Sequence, residues 1–110
     1  MSIGIMIDEP KNEEEKSFFI PVATEKTFNE YWLIAAQELK LQWVPIFSTG
    51  VVVDQDDLLV VINELNAIRI WIMTHITNIE NQKELLNRID YIIKKLFEIV
   101  KNKDIKLYIG

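Results

Sequence analysis

The chain has 110 residues, no cysteine, 49% hydrophobic residues and 17 acids against 12 bases, a formal charge of −5. That length suits one domain, the apolar fraction argues against disorder, and without cysteine neither disulfides nor cysteine-type zinc sites can form. The negative balance argues against a nucleic-acid partner, whose phosphates need clustered Lys and Arg.

Residues 2–8 alternate, with Ile3, Ile5 and Ile7 on one side and Gly4, Met6 and Asp8 on the other, which predicts a half-buried strand. The polar, proline-bearing run 9–16 predicts an exposed loop, and 17–22 a second strand that Pro21 confines to an edge or end. Thr24 and Thr27 are equally good N-caps for a helix over 25–39. Phe28, Trp32, Ala35 and Leu39 would be its buried face, with Tyr31 and Ala36 beside it. Leu41 to Phe47 predicts a strand, turning through Ser48-Thr49-Gly50 into a partner strand Val51–Val53.

Asp54, Asp56 and Asp57 are helix-start residues, favoured by cap hydrogen bonds and by the positive end of the dipole. The second helix they open runs to Thr74 or Ile76, with a core stripe of Leu58, Val61, Leu65, Ile68 and Ile72. Leu59, Val60, Ile62, Ile70, Trp71 and Met73 carry apolar surface well beyond that stripe, so the helix is either sandwiched in its own domain or buried by a partner, a homodimer through this helix being one such partner. Asn63, Glu64, Asn66 and Arg69 interrupt it, so it reads as a poor membrane span. Asn81-Gln82-Lys83-Glu84 reads as a capping box opening a third helix to Lys101, with a seam of Leu85, Ile89, Ile92, Leu96 and Ile99. Asp104 to Ile109 closes as a strand. The element order lacks repeated βαβ units and predicts a single α+β domain over 1–110. It would hold one mostly antiparallel sheet of four to five strands with three helices packed over it. No secretory signal is read in the first residues, so a cytoplasmic location is expected.

Few residues carry chemistry. His75 is the only histidine and falls near a helix C-terminus, where it favours the dipole. The Asp54, Asp56, Asp57 run resembles the start of a calcium loop, but Leu59 and Leu65 occupy the positions that need Gly and Glu. Glycines at positions 4, 50 and 110 cannot build a phosphate cradle, and no nucleophile or metalloprotease motif is present. No cofactor, metal or catalytic site is expected. Charge is the informative feature. Residues 1–60 hold 11 acids and four bases, and residues 61–110 six acids and eight bases, so the first part carries −7 and the rest +2. Asp8, Glu9, Glu13, Glu14, Glu15, Asp54, Asp56 and Asp57 are the candidate partner-binding residues, as a surface for a basic protein.

Residues 23–50 and the strand and helix through Trp71 carry a Phe-x-x-Tyr-Trp helix start, a Trp-x-Pro-x-Phe strand, a glycine turn and an acidic helix start. In this chain these are Phe28, Tyr31, Trp32, Trp43, Pro45, Phe47 and Gly50. The pattern resembles small acidic bacterial immunity proteins of polymorphic or contact-dependent toxin systems. The resemblance implies a non-enzymatic protein that binds a cognate toxin domain tightly and one-to-one, with no catalytic residue. Such toxins are often basic, which suits the acidic first half. The alternative expectation is a homodimeric structural module with no toxin partner.

Overall fold

The computed structural model describes residues 2–102 and 104–110. The fold is α+β, with one four-stranded antiparallel sheet and five α-helical segments. Strand β1 (Ser2–Asp8) is followed by α1 (Glu13–Ser17), β2 (Phe19–Thr24), α2 (Glu25–Thr27) and α3 (Leu33–Leu39). Then come β3 (Val51–Val53), α4 (Gln55–His75), α5 (Ile79–Val100) and β4 (Lys106–Ile109). The strand order is β2-β1-β4-β3, so the first and last strands are the central pair. Pro21 lies on the edge strand β2, where its missing N–H costs no ladder bond.

One sheet face is dry: Ile3, Ile5, Ile7, Ile20, Val22, Val53, Leu107 and Ile109 are all buried, against the helices. The other face is open. Register places Phe19, Met6, Tyr108 and Val52 side by side, one from each strand. The glycines explain how the rings lie there. A Cβ on Gly4 would collide with the Phe19 ring, and a Cβ on Gly50 or Gly110 with the Tyr108 ring. Gly50 has a φ of 91°, which side chains rarely adopt. Gly50→Ala is therefore expected to destabilise the fold by about 2 kcal/mol. Because backbone strain is the main part of that cost, adding Tyr108→Ala should recover only a fraction of it. Full recovery in a urea-unfolding double-mutant cycle would place the cost on the ring instead.

Helix α2 continues into α3 through a π-helical turn, Phe28–Trp32, in which the Leu33 N–H reaches the Phe28 carbonyl. Thr24 is the cap, its Oγ1 accepting from the Thr27 N–H at 3.1 Å, and Thr27 has no capping role. Phe28, Trp32, Ala35 and Ala36 are buried as the spacing predicts. Leu39 is 38% exposed, because the wider turn shifts the helical phase and the helix closes immediately after it, on Lys40 in a left-handed conformation.

Three other expectations need correction. The predicted strand Leu41–Phe47 does not form; Val44–Thr49 is a 3-10 helix instead. The backbone N–H groups of Gln42, Trp43 and Val44 all donate to the carboxylate of Glu64, at 3.0–3.1 Å. Three consecutive amides cannot face one acceptor from an extended strand, whose N–H groups alternate sides. Val44 and Phe47, three apart, are the buried pair. Second, the loop 9–16 contains α1, so the helix count exceeds the expected three. Asn12 Oδ1 accepts from the Glu15 N–H at 2.8 Å, and Glu15 Oε1 accepts from the Lys11 N–H at 3.3 Å. This pattern approximates a capping box. Third, α5 begins earlier than Asn81. Asn78 caps it, accepting from the Asn81 N–H at 3.0 Å, and Gln82 turns back to donate to the carbonyls of Met73, in the last turn of α4, and Ile76, just after it.

Helices α4 and α5 form an antiparallel pair, joined at the surface by Arg69 Nε to Asp90 Oδ1 at 2.6 Å. That pairing holds the Arg69 guanidinium in its charged form, raising its pKa. By length and composition α4 could cross a membrane; here it is the core helix, with Leu58, Val61, Ile62, Leu65, Ile68, Trp71 and Ile72 buried within the domain.

Candidate acidic interface at one end of the sheet

The acidic residues come from separate stretches of chain, and sheet register brings them together. Ile7 and Val53 both lie opposite Leu107, and Asp8 lies opposite Lys106. Asp8 and Asp54 therefore flank β4 at the same end of the sheet, about 10 Å apart by two strand spacings. Glu9 and the α1 acids follow Asp8, while Asp56 and Asp57 follow Asp54 into α4. Asp104, in the segment leading to β4, joins the same end.

The eight candidate residues differ in how free their charges are. Asp54 is the α4 cap, its Oδ1 accepting from the N–H groups of Asp56 and Asp57 at 3.0 and 3.2 Å. Glu15 is committed to the α1 cap, and Glu13 lies 3.5 Å from Lys16. Asp8 has Lys106 as its cross-strand neighbour. Glu9 sits at a φ of 52°, turning the chain away from the strand. Glu14 and Asp56 project from the first turns of α1 and α4 into solvent. Asp57 is the most perturbed: partial burial, then the charges of Asp54 and Asp56, push its pKa above the usual carboxylate value.

The sign of that shift makes a prediction. A carboxyl with a raised native pKa binds its proton more tightly in the folded chain than in the unfolded one. Its contribution to stability is present below the ordinary carboxylate pKa and is lost as pH rises through the raised value. Asp57→Asn should therefore melt higher than the wild type near neutral pH, with the gap closing below about pH 4. A gap independent of pH in thermal melts would refute this account.

A shallow depression of about 690 Å³ lies at this acidic end, with Leu59, Val100 and Ile105 among its lining and Asp54, Asp56 and Asp104 around it. Lys106 also lines it. Gln55 Nε2 fixes one side by donating to the carbonyls of Asn102 and Ile105, at 2.8 and 2.9 Å. Sequence reading missed Asp104 and the depression, since neither follows from local pattern. Among the described residues, no group of three or more His, Asp or Glu side chains converges as metal ligands would.

The opposite end of the sheet carries a cleft of about 470 Å³ between β2, the π-helical turn and α5. Its charges balance, Lys26 and Arg88 against Glu30 and Glu84. Arg88 donates to the Pro21 carbonyl at 3.2 Å, and Asn81 Nδ2 to the Tyr31 hydroxyl at 3.4 Å. These polar groups are spent on the protein itself. His75 is also occupied: it stacks on Trp71 with ring centroids 4.6 Å apart, and its Nδ1 lies 3.0 Å from the Trp71 carbonyl. Glu38 accepts from Trp71 Nε1 and lies 3.9 Å from His75 Nε2. The histidine thus belongs to a helix-end cluster. No protein-family model, curated protein or solved structure matches the chain.

Proposed function

We propose that this protein is a non-enzymatic binding protein of the immunity type, which neutralises a basic toxin domain by covering it with the acidic end of the sheet. The observation that carries this reading is the meeting of two separate acidic runs at that end, through the shared register of β1 and β3 on β4. Burial, then the neighbouring charges of Asp54 and Asp56, raise the pKa of Asp57 within this face. A cationic partner would relieve that repulsion and be steered toward it. Phe19, 54% exposed and level with Met6 near the same end, is the aromatic placed to anchor a partner. The structure spends its single histidine and its buried carboxylate, Glu64, on its own packing, which favours binding over catalysis.

The test begins with co-expression. A toxic domain encoded beside this protein should be lethal alone and harmless in its presence; absence of protection would sink the reading. The acidic face is tested separately by replacing Glu13, Glu14, Asp56 and Asp57 with lysine, leaving the cap residues Asn12, Glu15 and Asp54 in place. Stopped-flow association with the toxin domain should slow by about 10-fold or more at low salt and lose most of its salt dependence. An unchanged on-rate would move the interface elsewhere.

A further inference from the structure

Helix α4 is buried along one side only. The opposite side exposes Leu59, Asn63, Asn66, Ile70 and Met73, at steps of four, three, four and three. That is the 3.5-residue repeat of a two-helix seam, and it faces away from the domain's own core. From Leu59 to Ile70 the seam positions themselves are uncharged. Glu64 is turned inward to the Gln42–Val44 amides, while Arg69 flanks the far end, paired with Asp90 and donating to Met73 Sδ at 3.4 Å.

The pattern is also self-complementary. From Leu59 to Ile70 it reads apolar, Asn, Asn, apolar in either direction. We infer that a second copy of this chain docks here, α4 against α4, in an antiparallel two-fold pair. Leu59 then packs on Ile70 of the second copy, and Asn63 meets Asn66 of the second copy across the axis. Each carboxamide both donates and accepts, so the central layer satisfies itself and sets the register, as a buried Asn does in paired helices. Isologous contact needs a patch complementary to itself, and this one is. Two chains each carrying −5 meet through a strip whose Leu59–Ile70 positions are uncharged, and the antiparallel sense keeps the two acidic helix starts at opposite ends of the seam. A single helix seam is small among interfaces, so association should be reversible, with dissociation in the micromolar range. Leu59 is common to the seam and the acidic depression; the pairing does not otherwise depend on the proposed toxin contact.

Sedimentation equilibrium of the full chain from low micromolar to millimolar concentration should show a monomer–dimer equilibrium. Ile70→Glu should weaken it by at least about tenfold with an unchanged circular dichroism spectrum. Orientation is read by cross-linking, since the chain has no cysteine of its own. Leu59→Cys mixed with Ile70→Cys should form a disulfide-linked heterodimer on oxidation. Leu59→Cys alone should not, because antiparallel pairing leaves the two copies of that position roughly 16 Å apart along the axis, beyond disulfide reach. A chain monomeric throughout the range would assign the seam to a different protein and overturn the inference. So would an Ile70→Glu chain that dimerises as the wild type does, or efficient cross-linking of Leu59→Cys alone.

Discussion

Replacing Glu64 with alanine is expected to remove about 3–5 kcal/mol of stability, a large share of the roughly 5–15 kcal/mol typical of a domain. Glu64 is 8% exposed, and its two carboxylate oxygens receive the N–H groups of Gln42, Trp43 and Val44. Hydrogen bonds to a charged acceptor are the stronger kind, and losing it leaves the Val44 amide buried without a partner. Glu64→Gln should cost about half as much, since one oxygen becomes an NH₂ group that opposes the donors. The order alanine, glutamine, wild type in urea midpoints checks the assignment. A loss below about 1 kcal/mol for alanine would mean that water replaces the carboxylate without penalty.

The second large effect is expected at Trp32. Trp32→Ala should destabilise by about 3–5 kcal/mol, the usual cost of emptying a buried aromatic site. Trp32 is 1% exposed, lies on the π-helical turn and stacks with Phe28 at 6.4 Å between ring centroids. It lines the cleft between β2 and α5, beside Ile3, Val22 and Leu85. Trp32→Phe keeps part of the volume and should lose about half as much. If the alanine variant unfolds at the wild-type urea midpoint, the ring is not holding this layer together.

Local pattern carried much of the fold. The alternation of Ile3, Ile5 and Ile7 appears as a central strand, the 25–39 helix has its predicted bounds, and Pro21 marks an edge strand. The segment Leu41–Phe47 was not legible, because its conformation is set by a carboxylate on another helix, Glu64, about twenty residues later. Alternating bulky residues could not reveal that. The cap of α1 was visible in principle as Asn12-Glu13-Glu14-Glu15, but the same letters also read as a solvated acidic loop. For the candidate site, sequence named the acidic residues and their charge asymmetry. Their meeting depends on strand order, which composition does not encode. The same holds for α4, where periodicity alone could not say which of its apolar residues the domain would cover.

The central position of β4 has a consequence for how the protein is made. β3 is held in the sheet through β4, which follows α5 in the chain. On the ribosome, the β1–β2 hairpin and the α4–α5 pair can form from neighbouring segments. The sheet, however, stays in two parts until Lys106–Ile109 emerges and slides between β1 and β3. The Ile5–Ile109 pairing spans nearly the whole sequence, so it is the slow, non-local closure that the nascent chain must await. Until then the edges of β1 and β3 that β4 will occupy are open, so the interval before β4 emerges is the one of greatest exposure to misassembly.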